Sequence, residues 1–197
     1  MKTINLEEYT AAAIKTESRI DGIKSNLNIL SSTLKICMAI GNILDMQKKN
    51  IFYDKPIDIN KFKELNDQIS KISINLNSEI EKIDNIENLP KPQINTINPR
   101  VAHGIIGKFT EATELIEAMY QAMFEGKNLD SVNVAEEIGD DAWYTAILVD
   151  ALNINWTGIF EKNIEKLKKR YNDKFSVEKA INRDLEAERE ILEKNHD

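Results

Sequence analysis

Cysteine occurs once in the 197 residues, at Cys37, so no internal disulfide can form. Met1 to Leu6 carries no apolar signal region, and with no cysteine pair a reducing cytoplasm is the expected compartment. A thiol nucleophile is not indicated either, because Cys37 sits in an apolar helical pattern and reads as core. The only two histidines, His103 and His196, leave no cluster for zinc or copper. No apolar stretch approaches the length that spans a bilayer, so no membrane is expected as partner. Basic residues are outnumbered 26 to 33, a net charge of -7, which excludes the basic footprint of a nucleic-acid surface. An acidic protein of this kind recruits cations before it meets an anionic substrate.

Seven glycines and four prolines leave few interruptions, and the dominant periodicity is helical, with no convincing strand. Leu6 to Lys15 reads as a short amphipathic helix ended by the Asp21-Gly22 turn. Leu30, Leu34, Cys37, Gly41 and Leu44 share one face of a second helix, broken around Pro56. Phe62, Leu65, Ile69, Ile72 and Leu76, continued by Ile80 and Ile83, form the most regular seam of the chain. The proline- and asparagine-rich run Asn88 to Pro99 is the best candidate boundary. It implies a half at 1–88, a linker at 89–99 and a half at 100–197. Beyond it, Phe109, Ala112, Ile116, Met119 and Met123 predict a helix ended by Gly126. A helix from about Val134 to Leu152 is apolar almost all round in its second half, which makes it central. Thr157 can cap the next helix, with Phe160, Ile164, Leu167 and Tyr171 as its buried stripe. A charged helix from about Ser176 to Lys194 closes the chain. The fold class is therefore all-α, an antiparallel helical bundle. The halves also match weakly at an offset of 72 residues, pairing Asn26 with Asn98, Phe52 with Phe124 and Asp58 with Asp130.

Glu111 and Glu114 lie three apart on one helix, and Glu137 and Asp140 repeat that spacing on the next. With 33 acidic residues such a pair arises readily by chance, and its ordinary place is a solvated face. Two pairs on adjacent antiparallel helices instead aim four carboxylates at one point, where they repel unless cations lie between them. Oxygen-only ligands select magnesium or manganese. Such an ion neutralises phosphate oxygens and acidifies a water, while a carboxylate not used as a ligand can serve as general base. Lys162, Lys166, Lys169 and Arg170 crowd the following helix and can meet departing phosphates.

Glu111-Ala-Thr-Glu114 followed after 22 residues by Glu137-Ile-Gly-Asp140 resembles the E-x-x-E…E-x-x-D signature of the all-α nucleoside triphosphate pyrophosphohydrolases, the MazG-like superfamily. The stretches from His103 to Glu117, Ala135 to Leu152 and Asn163 to Arg189 resemble a phage and bacterial branch of it, as does Glu8-Tyr9 through Ser18. The resemblance implies hydrolysis of a nucleoside triphosphate to the monophosphate and pyrophosphate. It implies Glu111, Glu114, Glu137 and Asp140 as magnesium ligands, with Lys166, Asn163 and Arg170 contacting phosphate. Asp141 departs from a commonly apolar position and adds negative charge, and Asp150 reads as a hydrogen-bonded structural residue. Phe109, Trp143 and Trp156 are candidate stacking residues for the base, though each fits a core as well.

Leu34 to Asp67 looks like a second, degenerate copy of the same hairpin, with Ala39 and Asn42 at the positions of Glu111 and Glu114. Asp45 stands opposite Glu117, and Glu64 and Asp67 match Glu137 and Asp140 only if one residue is deleted. This half is then expected to be a structural pseudo-subunit. Both a pseudo-dimeric monomer and a homodimer remain open. Beside the enzyme stands a catalytically silent nucleotide-binding protein, a sponge or regulator on the same fold.

Overall fold

The computed structural model describes residues 4–82, 93–172 and 174–193. Ile83, Lys194 and the 88–92 part of the expected linker lie outside the described residues. The fold is all-α: helices α1 (Leu6–Ala13), α2 (Leu27–Tyr53), α3 (Ile59–Glu81), α4 (Pro99–Phe124), α5 (Ser131–Ala151), α6 (Trp156–Tyr171), α7 (Val177–Ile181) and α8 (Leu185–Glu193). Two two-residue strands, β1 (Ile23–Lys24) and β2 (Gln93–Ile94), pair in a minimal sheet that periodicity cannot reveal. The single charged helix expected near the end is two, α7 and α8, separated at Asn182–Asp184.

The chain forms two compact units, and neither is a contiguous half. One comprises Met1–Ile23 with Ile94–Glu161; the other comprises Lys24–Gln93 with Lys162–Asp197. This division differs from the expected 1–88 and 100–197, and the first reason is the anchoring of α1 on α5. The Trp143 indole Nε1 donates to the Ala13 carbonyl (3.2 Å) and to Thr16 Oγ1 (3.0 Å), and Trp156 Nε1 donates to Thr10 Oγ1 (2.9 Å). Ala13, Ala146, Val149 and Trp156 form the core there, with Tyr9, Trp143 and Ile159 against it. Both tryptophans are thus structural, and Phe109 is exposed.

In the same unit the Glu17 side chain is fully buried and bound by Arg100 at 2.7 Å, while Arg100 also holds Asp150 at 2.6 Å. Burial would raise the pKa of Glu17, but hydrogen bonds and charge from Arg100 and Arg19 outweigh it and hold the carboxyl below its usual range. Asp150 is accordingly a structural partner. Arg100→Ala leaves a buried carboxylate unpaired and is expected to cost about 3 kcal/mol in denaturant unfolding. Glu17→Gln in that background should recover part of the loss.

The second unit is built on the α2–α3 hairpin, α7 and α8, and the last part of α6. The α3 seam faces inward, with Leu65 buried and Phe62, Ile69, Ile72 and Leu76 half-buried. On α2 the inward residue is Ala39, whereas Leu34 and Leu44 of the expected stripe are exposed and Cys37 is half-buried. The α2 helix differs from the expectation that no apolar stretch approaches the length of a span. Its 27 residues are long and apolar enough to cross one by length and composition alone.

Arg170 and Arg183 both clamp the buried Glu188, each with an Nη2 contact of 2.6 Å. Hydrogen bonds and charge from Arg170 and then Arg183 lower the pKa of Glu188 to about 2. A carboxylate depressed on folding contributes stability that is complete above its unfolded value and fades as pH falls toward the folded one. Acid unfolding should therefore begin in the window from about 4.5 down to about 2. Glu188→Gln should cost about 3 kcal/mol at pH 7 in a denaturant titration and flatten that acid limb.

The helical register carries the internal repeat further than identities do. Asn26 and Asn98 cap α2 and α4, each side chain accepting from the backbone two residues on, and Asp58 and Asp130 cap α3 and α5. Asp54 and Gly126, at the same offset, both take left-handed backbone just past their helices (φ 54° and 68°). Because the caps of α3 and α5 are in register, no deletion separates the hairpins. Leu65 and Gln68 therefore occupy the positions of Glu137 and Asp140, in place of Glu64 and Asp67.

Candidate metal centre

The centre belongs to α4 and α5, the most extensively packed helices of the first unit. The α4 stripe expected to be buried points outward: Phe109, Ile116, Met119 and Met123 are all exposed. The face turned to α5 is instead Gly104, Gly107 and Glu111. A β-carbon at Gly104 would meet Leu148 Cγ at 2.7 Å, and one at Gly107 would overlap the Tyr144 ring. These glycines let two helices approach where any side chain would hold them apart. One turn beyond Gly107, the same close approach brings Glu111 against Glu137.

Glu111 and Glu137 are 8% and 6% exposed, and each offers a carboxylate oxygen within 4.8 Å of the other's and of Asp140's. Asp140 is exposed at the mouth. Glu114 lies on the exposed face one turn along α4, outside that group. Three of the four expected ligands therefore converge, with the fourth near enough for its charge to act on Glu137. Asn133 Nδ2 donates to Glu137 Oε1 at 2.7 Å and orients that acid, while Thr110 Oγ1, whose shorter bond is to the Gly107 carbonyl (2.7 Å), lies 3.2 Å from Glu111 Oε1.

Burial, a hydrogen bond to Glu111 and the charges of Glu114, Glu111 and Glu136 push the Glu137 carboxyl above its usual range. Two carboxylates share a hydrogen bond only when a proton sits between them, so the pair needs either that proton or a cation. Burial and the charges of Glu111, Asp140 and Glu114 raise Tyr144, and burial with Asp140 raises Tyr9, whose hydroxyl donates to the Gly139 carbonyl at 3.2 Å. No lysine or arginine among the described residues forms an ion pair with these acids. Lys108, three residues before Glu111, instead bonds Asp141 (2.6 Å) and Thr145 Oγ1 (2.7 Å), so Asp141 has a cationic partner of its own. Convergent, oxygen-only, buried at two of its three acids and without an ion-paired lysine or arginine, the donor set fits a hard divalent cation.

Asn163, Lys166 and Arg170 lie on the part of α6 that belongs to the second unit. Asn163 is exposed and Lys166 half-buried, and Arg170 is engaged by Glu188 at 2.6 Å. Sequence patterning missed Thr110, Asn133 and the two α4 glycines. Their only signal is the i+4 step from Asn133 to Glu137 and the glycine spacing of three that precedes Glu111. No protein-family model matches the chain, and no curated protein or solved structure matches it either.

Proposed function

We propose that the chain is a magnesium-dependent nucleoside triphosphate pyrophosphohydrolase, cleaving an NTP or dNTP to the monophosphate and pyrophosphate. The observation that carries this reading is the convergence of buried Glu111 and Glu137 with exposed Asp140, with no ion pair to a lysine or arginine among the described residues. The likeness to the MazG-like superfamily rests on the motif residues alone.

Magnesium or manganese bound there supplies charge neutralisation of the phosphates and a more acidic water. Glu111, Glu137 and Asp140 would hold the ion, and Asn133 would keep Glu137 oriented. Glu114, outside the ligand group and exposed, is the carboxylate left to accept the proton of the attacking water. Lys166 and Asn163, the phosphate contacts that the resemblance implies, belong to the other unit and carry no part of this reading. Arg170 contributes by fixing Glu188 instead. The α2–α3 hairpin, in register with α4–α5 but lacking its acids, is the proposed pseudo-subunit.

A cytoplasmic, soluble location belongs to the same proposal. Supporting it, α2 carries Asn42 and an Asp45 paired with Lys48 and Lys49 in its second half, a costly set for a bilayer interior. The second reading, a silent nucleotide-binding protein, draws on Glu114 lying outside the ligand group. Pyrophosphate release from a panel of ribo- and deoxyribonucleoside triphosphates, with magnesium and with chelator, separates the two. The enzyme gives magnesium-dependent product. A folded protein that binds nucleotide and returns it intact is the sponge.

A further inference from the structure

The α2–α3 hairpin replaces the carboxylate cluster with a different chemistry at the same register. Ala39 stands for Glu111, Asn42 for Glu114, Leu65 for Glu137 and Gln68 for Asp140. Ala39 and Leu65, each 4% exposed, floor a cavity of about 350 Å³ whose walls carry Asn42, Gln68, Lys35 and Lys71. Lys35 occupies the position of Gly107, and Lys71 that of Trp143. Four acids have become two amides and two apolar residues, and two lysines have been added. No ion pair engages either lysine among the described residues. Of the acids on α3, Glu64 is held by Lys61 and Gln68, and Glu79 by Lys82 and Asn28.

A second cavity of about 370 Å³ lies along the same hairpin and shares Lys35; Ser31, Ser32, Asn75 and Ser78 line it, together with the Glu79–Lys82 ion pair. The groove is therefore apolar at one end and hydroxyl-rich at the other, with a cation at the junction. Asn42 Nδ2 donates to the Met38 carbonyl and Gln68 Nε2 to Glu64, leaving both amide oxygens and a second proton on each nitrogen for a ligand. Such a groove suits a planar heteroaromatic ring over Ala39 and Leu65 joined to a phosphate at Lys35, Ser31 and Ser32. It has no carboxylate free to hold a divalent cation.

We propose that the α2–α3 groove is a metal-independent nucleotide-binding site, separate from the carboxylate centre of α4 and α5. The full chain is titrated by calorimetry with AMP, GMP, CMP and UMP in excess EDTA. The carboxylate centre without metal repels these anions, so binding there does not enter the measurement. At least one nucleotide should bind stoichiometrically, Lys35→Ala should weaken it about tenfold or more, and Glu137→Gln should leave it unchanged. Lys35 is exposed, so its truncation spares the fold. Absence of binding in EDTA overturns the proposal, as does binding indifferent to Lys35→Ala or matched by inorganic phosphate. Because no turnover is read, a failed pyrophosphohydrolase assay leaves this result standing.

Discussion

At neutral pH and without metal, Glu137→Gln should melt higher than the wild-type protein, yet release no pyrophosphate when magnesium is added. Both halves follow from one feature: the Glu137 carboxyl is raised by burial, by its hydrogen bond to Glu111 and by the surrounding acids. A carboxyl whose folded pKa exceeds its unfolded value favours folding least when ionised. The native state binds more protons than the unfolded chain only below the raised value, so stability is lost as pH climbs through that window. An amide carries the hydrogen bond to Glu111 without the charge, so the advantage of the variant should appear above the window and vanish near pH 4. On the proposed reading, magnesium takes the place of that proton in the wild type. Saturation at about 100 times Kd stabilises by about 2.7 kcal/mol, and the variant should lose most of that gain. With the ion goes several kcal/mol of transition-state stabilisation, so kcat/KM should drop by about a thousandfold or more. Melting curves with EDTA and with magnesium, beside pyrophosphate assays, decide the matter. A variant that turns over normally refutes the centre, and one that melts lower without metal at pH 7 refutes the electrostatic account of it.

The acids were readable from sequence because a three-residue spacing on a helix fixes a shared face whatever surrounds it. What spacing cannot state is depth: Glu111 and Glu137 are buried while Glu114 and Asp140 are exposed, a difference set by how closely α4 meets α5. The α3 seam and the apolar half of α5 were legible because their inward residues are large hydrophobes, Leu65 and Ile147 among them. On α4 the same reasoning chose the wrong face. Its inward surface is made of glycine and glutamate, which hydropathy scores as solvent-facing, while Phe109 and Met123 lie outside. The docking of α1 depends on indole donors reaching Ala13, Thr16 and Thr10, contacts more than a hundred residues apart that no local pattern encodes. Asn155, not the expected Thr157, stands at the start of α6, its Oδ1 accepting from Gly158 N at 2.6 Å. The repeat shows the converse. Asp54 and Gly126 share no side-chain chemistry, yet both sit in left-handed backbone, so the hairpins correspond where identity is silent.

Gly107→Ala tests whether that close approach is what builds the centre. In an open helix the change would stabilise by up to about 1 kcal/mol, because alanine restricts the unfolded chain. At Gly107 the new methyl falls inside the Tyr144 ring, so either the ring leaves its rotamer or α4 moves off α5. Overpacking of this kind costs about 1–3 kcal/mol, which outweighs the propensity gain and reverses the sign. The consequence for chemistry is larger than that for stability. Glu111 is one turn away, and small displacements of ligands and their supports cost about 10- to 100-fold in metal affinity. Gly139→Ala supplies the control, since no atom lies within 4 Å of its β-carbon although it adjoins Asp140. It should be neutral or stabilising and leave magnesium binding intact. Tyr144→Ala in the Gly107→Ala background removes the obstacle, so the two changes together should cost less than their sum. Strict additivity in unfolding and in magnesium titration would show that the ring does not set the spacing of the helices. Recovery of both stability and affinity would tie the carboxylate cluster to a glycine that no hydropathy pattern marks.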